Sequence, residues 1–384
     1  MSSSTHPLRF LEEHFGFIED PRLDRHKDHL LLDIIGLTII GTLSGADNWV
    51  AIEGFGKAKE EFLRELLLLP NGIPSHDTLG RVFSILSAKE LEAGFANWIG
   101  AISELSQGQV IAIDGKRLRG SYDKGSNKAA IHMVSAWATA NQISLGQLKV
   151  DDKSNEITAI PELLQMLDIA GCIITIDAMG TQKEIAQQIR AQQADYVLSL
   201  KANHGELYEE VKATFDHLVD TRFCDQDQQW DKGHGRIESR KCYVLDLQAP
   251  DFDWILSDDL EQWQDISSLI MIQATRREAG QVHTQSRYYI SSLSAQNKDA
   301  QAFNHIVRTH WAIENQLHWT LDVVFKEDAS RVRTGHADQN LSVIRRMALN
   351  LLKQDKSLKV GIQNKRMRAA WDNQYLVKIL RQAF

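Results

Sequence analysis

The sequence predicts an α/β fold with an antiparallel sheet edge. Two patterns carry this expectation. Between Gln109 and Leu200 short apolar runs and amphipathic segments follow in the order β-β-β-α-β-α-β, and strands joined through helices lie parallel in one sheet with right-handed crossovers. Before Gln109 the apolar residues recur at helical spacing instead. With 384 residues, 43% apolar and 24% charged, the composition is that of an ordinary folded chain and excludes disordered, collagen-like and disulfide-scaffold classes. Three scattered cysteines and no basic-then-apolar leader make the cytoplasm the expected compartment.

Residues 1–104 form the expected N-terminal helical domain, a candidate for binding DNA or a partner. Leu30 to Ala46 is apolar but carries Asp33 and two glycines and is too short for a span, so it reads as a buried helix with no membrane partner. Asn48 to Leu69 reads as a helix closed by Pro70, Asn71 and Gly72, and Ser75 to Leu86 as another. Ser87 with Glu90 has capping-box spacing ahead of Leu91, Phe95, Trp98, Ile99 and Ile102.

At Gln109 the period changes to that of strands. Val110 to Ile113, His132 to Ala138 and Ile143 to Val150 read as a meander, followed by a helix from about Asn155, a strand Cys172 to Ile176, a helix after Thr181 and a strand Tyr196 to Leu200. Thr181 and Glu184 have capping-box spacing. Residues 105–218 are thus the first part of a core, 219–292 a β-rich insertion with strands near 236–247, 269–275 and 287–291, 293–350 the last helices of the core, and 351–384 a basic tail. From Arg331 onward twelve Lys and Arg face three Asp, a net of +9 on a chain whose total is −8. That asymmetry fits a polyanion partner and equally a solvated helix face.

Two apolar strands end in Asp followed closely by Gly: Ile-Ala-Ile-Asp114-Gly and Thr-Ile-Asp177-Ala-Met-Gly. Ligands of open α/β sheets sit at the carboxyl ends of strands, so neighbouring strands would aim both carboxylates at one site; each Asp also suits a plain turn. Unscreened carboxylates repel, and a divalent cation makes both ionised forms favourable. Glu314 lies between His310 and His318 at four-residue steps, on one face of a helix whose packed side holds Trp311, Ile313, Leu317 and Leu321; a plain exposed carboxylate and zinc binding through His310 and His318 are the alternatives. Lys116, Arg117 and Arg119 follow Asp114 and can meet phosphates or simply solubilise a loop. Arg236, Glu238 and Arg240 alternate on one side of a strand, a face that would approach DNA, brace a metal site or form a surface ion-pair ladder. Trp230, Trp254 and Trp263 fall in the insertion and suit core packing or base stacking. Cys224, His234 and Cys242 offer three irregularly spaced ligands, short of a zinc site.

The blocks Asp114-Gly-Lys-Arg, Ile-Asp177-Ala-Met-Gly, Ser199-Leu-Lys-Ala-Asn203, Gly233-His-Gly-Arg-Ile-Glu-Ser-Arg240 and His310-Trp-Ala-Ile-Glu314-Asn resemble the DDE transposases of bacterial insertion sequences, closest to the H-repeat-associated, Rhs-linked group. Ile73-Pro-Ser-His-Asp-Thr-Leu-Gly-Arg81 extends the resemblance toward the N-terminus. It implies an RNase H-like catalytic domain in which Asp114, Asp177 and Glu314 are catalytic and hold Mg2+ or Mn2+, two ions in all. It implies hydrolysis at element ends and strand transfer into target DNA, with double-stranded DNA as partner and a homodimer on that DNA. Contacts to DNA are implied for Lys201, Asn203, Arg236, Arg240 and His310, besides Lys116, Arg117 and Arg119. A catalytically silent DNA-binding relic and a stand-alone RNase H-like nuclease are the alternatives. The resemblance explains the 137 residues from Asp177 to Glu314 as the β insertion. It departs from the wider group where Tyr, Arg and Lys around the glutamate are replaced by Val307, His310 and Leu321, and Asp322, Glu327 and Asp328 are rival metal ligands.

Overall fold

A computed structural model describes the chain except residues 1–7, 104, 123–128, 151–154, 220, 222–223, 234–235, 250–257, 279–280 and 384. It is a mixed α/β fold. The chain begins with helices α1 (Arg9–Phe15), α2 (Leu31–Leu43), α3 (Trp49–Ala58), α4 (Glu60–Leu63), α5 (His76–Ile85) and α6 (Ala88–Ile102). Then come β1 (Val110–Arg117), β2 (His132–Ala138), β3 (Ile143–Lys149), α7 (Glu156–Gln165), β4 (Ile173–Ile176), α8 (Lys183–Ala191), β5 (Asp195–Leu200) and α9 (Glu206–Leu218). The following segment holds β6 (Cys224–Gly233), β7 (Arg236–Asp246), α10 (Asp258–Glu261), β8 (Ser268–Glu278) and β9 (Gln281–Ser291). The chain closes with α11 (Ala300–His310), a π-helical turn Ile313–His318, α12 (Trp319–Val323), α13 (Ala337–Gln354), α14 (Ile362–Trp371) and α15 (Asn373–Leu380).

Side-chain caps fix several helix starts, each satisfying a backbone N–H that the first turn leaves open. Asn48 accepts from Ala51 N at 2.9 Å, Ser75 from Thr78 N at 3.2 Å, Ser87 from Glu90 N at 3.3 Å and Asn155 from Ile157 N at 3.0 Å. Thr181 does not cap α8. Its hydroxyl donates to the carbonyls of Asp177 and Ser199, tying two strand ends together, and the helix starts one residue later without a side-chain cap. The single helix expected over Asn48–Leu69 is broken at Lys59.

All nine strands form one sheet in the order β3-β2-β1-β4-β5-β9-β8-β7-β6. The β1–β4 and β4–β5 pairs are parallel, and β5–β9 resumes antiparallel pairing. The expected insertion is therefore a continuation of the main sheet rather than a separate layer. On one face α11 packs Phe303, Ile306 and Val307 over Val110, Ile173, Val197, Val244 and Ile270, so a single helix spans both halves of the sheet. The larger core on the other face joins the N-terminal helices, α7, α8 and α13.

The expected basic tail is folded: Lys365 and Arg366 are buried in it, as are Arg345 and Arg346 in the helix before it, which removes four cations of the C-terminal stretch from any surface. Arg366 binds three parts of the chain at once. Its guanidinium donates to Thr42 O at 2.8 Å, to Asp47 Oδ1 at 2.7 Å and to Val324 O, and stacks 4.3 Å over Phe325. Among the described residues no helix is long and apolar enough to cross a membrane.

Candidate active site

The parallel register of β1 and β4 runs from Val110↔Ile173 to Ile113↔Ile176. One step further stand Asp114 and Asp177, adjacent rungs of strands spaced about 4.8 Å apart. Alternation points Ile173, Thr175 and Asp177 toward α11, and likewise Asp114. Contrary to the expected break at Asp114, β1 continues to Arg117, held by β2 alone. Gly115 is required by crowding: a Cβ there would lie 2.1 Å from Glu156 Oε1 and 2.7 Å from His132 Nε2. Asp177 accepts from Met179 N at 3.0 Å, an Asx turn that fixes its carboxylate at the strand end.

Glu314 sits in the π turn, exposed, and three acids share one cavity of about 290 Å³. Its floor is the alternating residues of four adjacent strands: Asp114, Asp177, Ser199 with Lys201, and Arg287. Its roof is His310, Trp311 and Glu314. Burial, together with the charges of Asp177, Glu156 and Glu314, pushes the Asp114 carboxyl up to about 7. The site thus concentrates more negative charge than it can hold unaided. Burial pushes His310 down to about 4 and His318 to about 3, so both rings are neutral at pH 7. His310 Nδ1 lies 2.9 Å from Thr175 Oγ1, and His318 Nδ1 lies 3.4 Å from Asp114 Oδ2. Arg287 stacks 4.9 Å over Trp311 at the cavity wall. Among the described residues no group of three His, Cys, Asp or Glu side chains forms a ready-made metal cage. Cys224 and Cys242 are buried free thiols, and His234 lies outside the described residues.

Two family models match the chain: the "DDE_Tnp_1-associated" model over residues 12–99 and the "Transposase DDE domain" over residues 105–351. The chain belongs to the DDE transposase family. Two full-length relatives are "Putative transposase YncI" of Escherichia coli O157:H7, 40% identical over 97% of this chain and 95% of its own, and "H repeat-associated putative transposase YhhI" of Escherichia coli K12, 41% identical over 97% and 98%. A piggyBac transposase synaptic complex with hairpin DNA aligns at 10% identity and a TM-score of 0.43, covering 97% of this chain and 77% of that one.

In this member of the DDE transposase family the residues expected to meet DNA have different surroundings. Lys116 is buried: its ammonium pairs with Asp322 and, at 3.0 Å, with Glu327, so it is not available to a phosphate. Alternation puts it on the same strand face as Asp114, where the chain after α12 covers it. Glu327, fully buried, also accepts from Arg346 at 3.1 Å and Ser342 at 2.8 Å. Despite burial, Arg346, Lys116 and Arg345 hold its carboxyl far below the usual range. Asp322 and Glu327 therefore serve the Lys116 cluster rather than the cavity, and Asp328 faces Arg119 at 3.7 Å. Arg117 and Arg119 are exposed. Lys201 reaches the cavity, whereas exposed Asn203 donates to Ala178 O at 3.1 Å. Neutral His310 lines the cavity but carries no charge for a phosphate. Arg240 donates to Asn304 Oδ1 at 2.7 Å and lies with Glu238 in a neighbouring cleft that shares Gln285 and Arg287 with the cavity. The Arg236 side chain and Trp254 lie outside the described residues. Trp263 is core, whereas Trp230 is 60% exposed.

Glu156 and Arg287 were not legible as site residues, whereas His318 was singled out only for sharing a helix face with His310 and Glu314. Glu156 pairs with His132 at 2.8 Å beside Gly115; its sequence position marks only a helix start.

Proposed function

We propose that this chain is an RNase H-like DDE transposase that hydrolyses phosphodiesters at the ends of an insertion element and joins the freed 3′-hydroxyl to target DNA. The carrying observation is the single cavity lined by Asp114, Asp177 and Glu314. The β3-β2-β1-β4-β5 order supports the RNase H-like reading, and the family supports the chemistry.

The donor set fits Mg2+ or Mn2+. Carboxylate oxygens are the hard ligands these ions take, and the Asp114 carboxyl, raised first by burial and then by the charges of Asp177, Glu156 and Glu314, is one that a bound cation would keep ionised. Asp114, Asp177 and Glu314 would hold the ions, whose bound chemistry is to activate the attacking oxygen and stabilise the leaving one. The chain's own part is positional. Asp177 is fixed by its Asx turn, Asp114 by the β1 ladder and His318, and Glu314 by the π turn. Lys201 and Arg287 supply cations at the wall for the phosphate, and exposed Arg117 and Arg119 extend the charge along the strand exit. Two copies would hold the two element ends.

The test is cleavage of a plasmid carrying both element ends, with magnesium. Nicks at the ends followed by joined products are expected, and Asp177→Asn should lose both while still binding DNA. Binding without cleavage in the unmodified protein identifies a relic, and cleavage without joining a nuclease.

A further inference from the structure

His310 lines the cavity of Asp114, Asp177 and Glu314 without a charge to offer a phosphate. It ends α11, whose apolar face over Val110, Ile173 and Val197 sets the ring above β4. There it meets Thr175, two residues before Asp177 and on the same strand face. We infer that His310 is a further metal ligand, offering Nε2 to a divalent ion beside Asp177, and that this nitrogen makes the cavity select Mn2+ over Mg2+. The inference rests on the metal-dependent function proposed above and adds a nitrogen to its three carboxylates.

The hydrogen bonding of the ring decides which nitrogen is free. Nδ1 lies 2.9 Å from Thr175 Oγ1, and that hydroxyl donates at 3.5 Å to the carbonyl of Ile111. With its proton turned to Ile111, Oγ1 accepts from the ring, so the ring's proton sits on Nδ1. The Thr175 backbone, also hydrogen-bonded to the ring, favours a proton there as well. Nε2 keeps its lone pair. Among the described residues it has no partner, and it is not sealed inside the protein as His318 Nε2 is. A ring that gives its other N–H to a protein acceptor has the arrangement of a metal-binding histidine: the bond sets the tautomer, aims the ring and raises its basicity.

The surroundings suit an ion better than a phosphate. Asp177 lies near enough for its charge to act on the ring, against that of Lys201. An outward lone pair cannot donate to a phosphate oxygen, a task left to Lys201 and Arg287 in the same cavity. The cavity, of about 290 Å³, is not a closed cage, which leaves room for water and substrate oxygens on the ion. Imidazole nitrogen suits transition metals, whereas Mg2+ keeps oxygen ligands and gives up water reluctantly. One nitrogen among carboxylates therefore tilts selection toward Mn2+.

The test uses the full chain with Mn2+ alone. Pulsed electron paramagnetic resonance of the bound ion should show modulation from a coordinated nitrogen, and the pattern should change when the protein is grown with isotopically labelled histidine. His310→Phe keeps the ring's outline and removes both nitrogens. Matched to the parent by thermal melt, it should lose the modulation and bind Mn2+ at least about tenfold more weakly, with Mg2+ affinity, read by competition, changed less than about twofold. Thr175→Val, which frees the ring from its hydroxyl, should keep the modulation and weaken Mn2+ by a smaller factor. Bound Mn2+ without nitrogen modulation, or an unchanged Mn2+ to Mg2+ preference in His310→Phe, overturns the inference. If that nitrogen-free ion is lost in Asp177→Asn, the transposase reading still stands on its carboxylates; Mn2+ held equally by the parent and Asp177→Asn would count against that reading as well.

Discussion

Lys116 shows how far a residue's neighbours outweigh its type. A lysine two positions after a candidate catalytic aspartate reads as a phosphate contact, yet its ammonium neutralises Glu327 and Asp322. Removing one member of a buried pair leaves an uncompensated charge, so Lys116→Met is expected to cost about 3–5 kcal/mol in urea unfolding. Adding Glu327→Gln should recover part of that loss; an additive double mutant would refute the coupling. Asp114 and Asp177 were legible as cavity-lining acids because an apolar run leads into each, although β1 runs on past Asp114 to Arg117. Glu156 was not, since only the fold brings a helix start beside Gly115. Lys116 was misread because its partners lie about two hundred residues away, beyond any local pattern.

At the scale of elements, the π turn is the informative departure. Four-residue spacing placed His310, Glu314 and His318 on one α-helical face, whereas Ile313–His318 winds more widely and sets Glu314 at the cavity roof and His318 against Asp114. Deleting Asn315 should restore α geometry and turn His318 about 100° away. End cleavage should then fall at least tenfold with far-UV circular dichroism unchanged; retained cleavage would show that the turn is incidental. The starts of α3, α5, α6 and α7 were legible from their caps, whereas the end of α3 and the cap of α8 were not. The strands of the second half were not: β6, reading Cys-Asp-Gln-Asp-Gln-Gln-Trp-Asp-Lys-Gly, has no apolar face because it is the sheet's outer edge, and β8 and β9 run on into solvent as polar ribbons. Their pairing is set by register with neighbours rather than by burial.

Across the whole molecule, the N-terminal helices and the sheet are joined by buried polar contacts as well as apolar ones. Gln339 donates to Glu92 at 2.8 Å in this seam. Burial pushes Glu92 up to about 7 against the lowering effects of Gln339, Arg346 and Gln147. Unfolded, it would titrate at its ordinary 4.5. Between these values the folded chain keeps a proton that the unfolded chain releases, so stability falls as pH rises through the window and the loss is complete above it. Glu92→Gln should therefore gain up to about 3 kcal/mol on the parent at pH 8 and nothing at pH 4, from denaturant midpoints. A gain independent of pH would contradict the linkage. The same seam predicts one cooperative calorimetric transition, with calorimetric and van't Hoff enthalpies equal; two separated transitions would mean that the halves fold apart.

Arg366, near the end of the chain, gives the molecule a late point of failure. A reading frame interrupted between the π turn and Arg366 would keep every acid of the cavity and still strip Thr42, Asp47 and Val324 of their shared donor, while uncovering α2, a helix buried along nearly its whole length. A nonsense codon just ahead of Arg366 is therefore expected to damage solubility rather than the chemistry of the cavity.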